Sequence, residues 1–294
     1  MAQRTFGGIH TEKKLVCLEK YLRAYLKVMK FQDFETLYID AFAGTGEVPL
    51  AANYDGLPLD DEGLRFLSGS VRRALAIDES FGQYIFIEKK RSNAKALESL
   101  TTEFPAKTIR VVRADANQGL RTICGLQDWR KSRAVVFLDP FGSQVEWSTL
   151  ELLAQTGSID LWYLFPAGLC VNRQVQNKDG QVRAEHQAAL DRMLGTRNWR
   201  TAFAEEILSE PDLFMNPIQQ TRKAVTTVSA TLFMIDRLRL LFRGGVLDEY
   251  LALGTGGVHM FSLLFAWANP SPKARKAGDI ARSVMRSKQR GRAK

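Results

Sequence analysis

The sequence predicts an α/β fold: a mostly parallel sheet of seven strands with helices on both faces, a helical insertion in the second half, and an antiparallel pair at the C-terminal edge. Three observations predict it. Five short apolar runs alternate with helical stretches up to Pro166, the order that βαβ units require. The runs are continuously apolar instead of alternating, as strands buried on both faces are. Near the C-terminus two more apolar runs flank the turn GTGG, and strands joined so closely are antiparallel.

The elements follow in order. Thr11 is placed to cap a helix from Glu12 to about Lys30, in which Leu15, Leu18, Leu22, Leu26 and Met29 form one buried stripe. A strand is expected from Thr36 to Ala41. Residues 47–68, with two prolines and five acids, read as a surface loop. A helix begins near Ser70, and QYIFIEKK is a strand ending in Glu88. Ser92 is a candidate cap for the helix SNAKALESLTTEF. TIRVVRADA, AVVFLDPFG and IDLWYLF are three more strands, the first two ending in Asp115 and Asp139 and the last stopped by Pro166. Trp162 reads as core. VNRQVQNKDGQVR reads as a mobile loop. Residues 183–243 look mostly helical, with Gly195 ending one helix and a long one from Gln219 to Phe242. Its core stripe is Val225, Val228, Leu232, Ile235 and Leu238. Residues 1–272 thus read as one domain, with the insertion at about 172–243, and residues 273–294 as a basic extension.

Composition narrows the function. The three cysteines, Cys17, Cys124 and Cys170, are far apart and lack metal-ligand spacing, so no metal is expected. No apolar run reaches the roughly 18 to 20 residues of a membrane span. The N-terminus MAQRTFGGIHTEKK has no apolar core for secretion, so no membrane contact is expected and the cytoplasm is the expected compartment. The net charge of +9 is concentrated: nine Lys or Arg and one acid, Asp279, fall between Lys273 and Lys294, and the rest of the chain is near neutral. This tail reads as a solvated extension that either contacts RNA or DNA phosphates or serves solubility alone.

The segment YIDAFAGTG carries the chemistry. An apolar run meets Asp40, and the chain then turns through Ala43, Gly44, Thr45 and Gly46. Such a turn is either a tight strand-to-helix connection, which glycine permits, or a cradle that lets backbone approach a ligand. Four strand ends carry an acid: Asp40, Glu88, Asp115 and Asp139. Ligands of open α/β sheets bind outside the carboxyl ends of the strands, and clustered carboxylates need a compensating cation. A cationic ligand with a ribose, such as S-adenosylmethionine, satisfies both. Phosphate-rich cofactors do not, and no GxxxxGK[ST] loop is present.

The order YIDAFAGTG, GSVRRAL, YIFIEKK, VVFLDPFGSQVEWSTLELLA and IDLWYLFPAG resembles the three-Cys-motif partner (TcmP) family, over roughly Ile9 to Pro270. The resemblance implies a Rossmann-like S-adenosylmethionine-dependent methyltransferase fold, and a three-Cys-motif radical S-adenosylmethionine protein, of phage or mobile-element type, as partner. More distantly, D-x-x-A-G-x-G, G-S, E and D-P in this order resemble ribosomal RNA adenine amino-group methyltransferases. By that resemblance Asp40 and Gly44 hold the methionine end of the cofactor, with Phe42 and Gly46 in the same turn and Gly69-Ser70 bordering it. Glu88, with Lys89 beside it, meets the ribose hydroxyls. Asp115 and Ala116 read the adenine, and Lys14 approaches the cofactor carboxylate. Asp139, Pro140 and Phe141 form the reaction motif, here D-P-F-G where D-P-P-aromatic is usual, so Phe141 or Trp147 would replace the stacking aromatic. Phe165, Pro166, Asn172 and Arg173 are candidate substrate contacts.

Three functions follow. The first is methyl transfer to an amino group of a nucleic-acid base. The second is a binding module that supports the radical enzyme. The third is methylation of a small molecule.

Overall fold

The structure, a computed structural model, describes residues 9–46, 69–173, 183–209, 218–223, 225–254 and 257–289. The loop expected at 47–68, the stretch 174–182 of the expected mobile loop and residues 290–294 of the tail lie outside them.

The chain opens with α1 (Ile9–Met29), β1 (Glu35–Asp40), α2 (Ser70–Leu75), β2 (Gln83–Ile87), α3 (Arg91–Glu103) and β3 (Ile109–Val112). It continues with α4 (Ala116–Leu126), β4 (Ser132–Leu138), α5 (Trp147–Gln155), β5 (Ile159–Phe165) and α6 (Ala167–Arg173). The second half holds α7 (Ala184–Leu194), α8 (Trp199–Ala202), β6 (Ala204–Ser209), β7 (Ile218–Lys223) and α9 (Thr227–Arg239). It ends with β8 (Gly245–Val246), β9 (Leu251–Leu253), β10 (Phe261–Trp267) and α10 (Arg275–Gln289).

The main sheet has the order β3-β2-β1-β4-β5-β10-β8, with β9 also on β10. The first five strands are parallel and β10 is antiparallel to β5, β8 and β9. This is the expected Rossmann-like architecture with an antiparallel C-terminal edge. The outer strand is broken into β8 and β9, which gives eight strands in place of seven. No helix among the described residues is long and apolar enough to cross a membrane.

The period-two alternation of strand side chains divides the core into two layers. Leu37, Ile39, Val136, Leu138 and Tyr163 face α4, α5, α7 and α9. Tyr38, Phe86, Phe137, Trp162 and Phe265 face α1, α2, α3 and α10. Burying each such side chain contributes about 1.5–3 kcal/mol. Leu15, Leu18, Leu22 and Leu26 of α1 are buried in the second layer as their spacing requires, and Met29 packs partly buried at its margin.

Several local readings change. Helix α1 begins at Ile9, two residues before Thr11. Helix α3 begins at Arg91 behind an N-cap Lys90 that forms no side-chain cap, so Ser92 is inside it. The 183–243 region contains a two-stranded antiparallel sheet, β6–β7, where helix was expected. Helix α9 starts late because Thr226 and Ser229 form a capping box: the Thr226 hydroxyl accepts from the Ser229 amide and the Ser229 hydroxyl from the Thr226 amide. Its buried face is Ala230, Thr231, Met234, Ile235 and Leu238, while Val228 and Leu232 are exposed. Both stripes obey the helical period, and the neighbours choose between them.

The basic tail also differs from its reading as a solvated extension. It forms α10, which packs on α1 and β10 with Ala281 and Met285 fully buried.

Gly195 closes α7 in the left-handed conformation, with φ +63°. A Cβ there would come within 2.0 Å of the Trp147 ring. Gly195→Ala combines a left-handed alanine with an overpacked ring, so it is expected to destabilise the fold by about 3 kcal/mol. A denaturation midpoint measured beside the wild type checks this, and an unchanged midpoint would refute it.

Candidate functional site

The strand order reverses between β1 and β4: the chain passes from β1 outward to β2 and β3, then returns to β4 on the other side. Open α/β sheets bind ligands at such a switch point, beyond the carboxyl ends of the strands. Asp40 ends β1, Glu88 follows β2, and Asp139 follows β4. Asp115 lies three residues past β3 and caps α4, its carboxylate accepting from the Asn117 amide at 3.0 Å.

The structure brings Asp40, Ser70, Lys14 and Asp139 together. Asp40 is fully buried. It accepts from the Ser70 hydroxyl at 2.5 Å and from the Phe42 amide at 3.1 Å. Burial pushes its carboxyl up to about 7, against the opposing pull of those two hydrogen bonds; the Asp139 charge adds to the rise and Lys14 subtracts from it. Lys14 reaches from α1 to donate to Asp139 and ion-pairs with it. Its partner is thus the reaction-motif acid, where the expected partner was the cofactor carboxylate. Arg73, buried on α2, ion-pairs with Glu12 of α1 and fixes the helix that carries Lys14.

The turn after Asp40 is fastened at three points. Ala43 donates to the Ile87 carbonyl (3.2 Å), Gly46 to Ala43 (3.2 Å), and Gly69 to Gly46 (3.1 Å). Gly44 has φ +60°, and a Cβ built on it meets nothing within 4 Å. The backbone here therefore faces open space at the switch point, where a side chain would project. Glu88 and Lys89 lie on the outer side of this turn. The Glu88 carboxylate accepts from the Lys90 amide at 2.6 Å. Lys89 stands 3.8 Å from Asp115; the lysine is largely exposed and the aspartate half-buried. Ala116, the first residue of α4, is buried.

The loop after β4 is built around its own turn. Gly142 has φ +80°, and the Phe141 amide donates to the Gln144 side chain at 2.8 Å. Pro140 is buried, while Phe141 is 87% exposed. Trp147, the other stacking candidate, is buried: its Nε1 donates to Glu151 at 2.7 Å and its ring packs on the Arg237 guanidinium. Phe141 is therefore the aromatic that the D-P-F-G segment presents to solvent.

Sequence reasoning missed Asn117. Its Oδ1 accepts from the Glu146 amide (3.1 Å) and the Thr149 hydroxyl (2.7 Å), and its Nδ2 donates to the Gln144 carbonyl (2.8 Å) and to Asp115 (3.3 Å). All four hydrogen bonds an amide side chain can form are spent on tying the Asp139 loop to the cap of α4. The residue is polar and sits two places into a helix, where sequence offers no signal beyond a turn preference.

Of the substrate candidates, Phe165 and Pro166 are buried in place of the expected exposure at the site. Phe165 is fully buried against Tyr163, because β10 covers that edge of β5, and Pro166 is buried too. Asn172 and Arg173 belong to helix α6 in place of the expected loop.

No family model and no curated protein matches the chain. Solved structures do. Protein LPL1258 from Legionella pneumophila, of family model DUF519, is 12% identical over 94% of this chain and 92% of that one, with a TM-score of 0.50. The N-terminal domain of EvdMO1, crystallised with SAH bound, is 11% identical over 85% and 81%, with a TM-score of 0.38. The Escherichia coli protein yhhF, provisionally described as a methyltransferase, is 12% identical over 85% and 86%, with a TM-score of 0.32. At such identities the likeness is one of fold: this chain is built like the DUF519 protein over nearly its whole length.

Proposed function

We propose that this chain is an S-adenosylmethionine-dependent methyltransferase acting on an amino group of a nucleic-acid base. The observation that carries the reading is the open glycine turn at the switch point, with four strand-end carboxylates around it and an exposed aromatic after the fourth. The residues fit the cofactor: an anionic rim suits its cationic methionine end, and the space at Gly44 leaves backbone free to approach it. Asp40 and Gly44 hold that end, with Phe42, Gly46 and Ser70 around them. Glu88 and Lys89 lie where the ribose is met, and Asp115 with Ala116 where the adenine is read. When bound, the cofactor supplies an electrophilic methyl group.

The protein's part is positioning. The Asp139 carboxylate and the Pro140 carbonyl accept the hydrogens of the target amine, aim its lone pair and stabilise the positive charge that grows on nitrogen. Phe141 offers a face on which a flipped base stacks. Lys14 fixes Asp139 through their ion pair, and Asn117 keeps its loop in place.

Calorimetric titration with S-adenosylmethionine tests this reading. Micromolar binding is expected, weakened about tenfold in Glu88→Ala by loss of charge-assisted hydrogen bonds. An absence of heat with the folded wild type would overturn it.

The Lys14–Asp139 pair and the D-P-F-G motif also favour a second reading. Here the acid is engaged, and the chain supports a three-Cys-motif radical S-adenosylmethionine protein without methyl transfer of its own. That reading expects cofactor binding with no turnover on total RNA or DNA, and co-purification with the radical protein.

A further inference from the structure

The outward face of α10 is the strongest charged feature that the proposed chemistry leaves unused. The helix is anchored by its small and apolar residues. Ala281 and Met285 are fully buried, and Gly278 lies so close to the Trp267 ring that a Cβ would come within 2.8 Å of it. What remains outside is mainly basic, with Asp279 as its acid. Arg275, Arg282 and Arg286, spaced at i, i+7 and i+11, fall on one line of the helix, and Lys276 is exposed next to them.

Two of these arginines are held in place. Arg282 Nε and Arg286 Nη2 both donate to Glu249, at 3.2 and 2.5 Å, and Arg282 also donates to Asp279 at 3.2 Å. Glu249 and Asp279 order and balance these two guanidinium groups, so the excess positive charge of the face comes from Arg275 and Lys276 beside them. Beside them is a recess of about 410 Å³, lined by Asp279, Arg282, Ser283, Arg286 and Ser287. Guanidinium and hydroxyl donors side by side suit phosphate oxygens.

The face is placed for the site. Gly245 and Val246 stand opposite Trp267 and Ala266, and Leu251–Leu253 opposite the start of β10. Glu249 lies between these two levels. A helix that leaves Trp267 and meets Glu249 through Arg282 and Arg286 therefore climbs toward the carboxyl end of β5, on the same rim of the sheet at which Asp139 follows β4. Within the sheet β10 stands two strand steps, about 10 Å, from β4, and α10 packs over β10 on the side of α1, the helix that carries Lys14. A basic amphipathic helix otherwise suits a membrane surface, but the apolar side of this one is spent in the core.

We infer that the outward face of α10 docks the phosphate backbone of the nucleic-acid strand whose base enters the Asp139 site. The inference rests on the methyltransferase reading only for its choice of strand; the docking is tested apart from it. The binding of a fluorescein-labelled RNA stem-loop, and of the DNA of the same sequence, is measured across about 50 to 200 mM KCl. Wild-type binding is expected to weaken steeply with salt. The variant Arg275→Gln/Lys276→Gln/Arg286→Gln removes three contacts. It is expected to weaken binding at least tenfold and to flatten the slope of log affinity against log salt by about two to three, with S-adenosylmethionine binding and thermal midpoint unchanged. Arg282 is left in place and still donates to Glu249 and Asp279, so neither acid loses all its partners.

An unchanged slope in a folded variant would overturn the docking surface. So would a wild type that binds neither oligonucleotide, or one that binds anionic phosphatidylserine vesicles in their place. If oligonucleotides bind through α10 while S-adenosylmethionine does not bind at all, the docking surface stands and the methyltransferase reading falls.

Discussion

Asp139→Asn is expected to lower methyl transfer by about 10²- to 10⁴-fold, the range seen when one positioned proton acceptor or transition-state stabiliser is removed. Two losses combine. Asparagine keeps the size of the side chain but gives up the charge that faces the developing cation. It also strands Lys14, whose ion-pair partner is Asp139, so an ammonium group would stand uncompensated beside a nitrogen turning positive. At pH 8 cofactor affinity should change by less than about threefold, because Asp40, pushed up to about 7, is mostly ionised there, and losing the Asp139 charge only favours its ionised form. The assay is single-turnover transfer of tritiated methyl from S-adenosylmethionine to total RNA and, separately, total DNA. A second variant separates two roles for Lys14. If the lysine only fixes the acid, Lys14→Met is slow, and adding Asp139→Asn to it makes it little slower. If the lysine restrains the acid, Lys14→Met is faster than the wild type. An Asp139→Asn variant as active as the wild type would remove Asp139 from the chemistry.

Strand positions were legible where a strand is buried on both faces and reads as an unbroken apolar run, as β1, β2, β4 and β5 do. The carboxylates were legible for a related reason. A charged residue is costly to bury, so an acid after such a run marks where the strand gives way to a turn: Glu88 and Asp139 directly follow β2 and β4, Asp115 lies three residues past β3, and Asp40, the last residue of β1, is buried with hydrogen bonds from Ser70 and Phe42. The same logic fails where burial is set by a neighbour. In α9, Leu232 and Thr231 compete for the core, and the sequence favours the leucine; the structure buries Thr231, whose hydroxyl lies 2.7 Å from that of Ser262 on β10. In α10, the anchoring residues are Gly278, Ala281 and Met285, and their meaning depends on where Trp267 stands. Against a charge run that long, two small residues and a methionine carry almost no signal. Phe165 failed differently: it sits at a strand end like the acids, but β10 pairs alongside it and closes the edge. Lys14 was placed at the site by its helix, yet its partner lies 125 positions away in sequence, and one chain alone does not choose among four carboxylates.

Cofactor binding should tighten about tenfold between pH 6 and pH 8 and release a proton as it does. The sign follows from Asp40. Its carboxyl is pushed up to about 7 by burial in the free protein, so at pH 6 about one molecule in eleven carries the charge and at pH 8 about ten in eleven do. A ligand whose cationic end is held by this carboxylate binds the ionised form, and the fraction available rises tenfold over that interval. Titrations at pH 6.5 in phosphate and in a Tris-type buffer should differ in heat by the ionisation of the released proton. Asp40→Asn removes the dependence, and at pH 8 it should weaken binding about 10- to 100-fold, the loss of a charge-assisted hydrogen bond. The free protein shows the reverse trend. The folded chain keeps its proton on Asp40 up to about pH 7, while an unfolded chain releases it near the ordinary aspartate value of about 4. Stability therefore falls as pH rises through this window, and the stabilisation conferred by the cofactor is largest above it. A wild type whose affinity is flat from pH 6 to 8 would show that the buried acid at the switch point does not meet the cation, and the cofactor would then have to be held by the outer carboxylates, Glu88 and Asp115, alone.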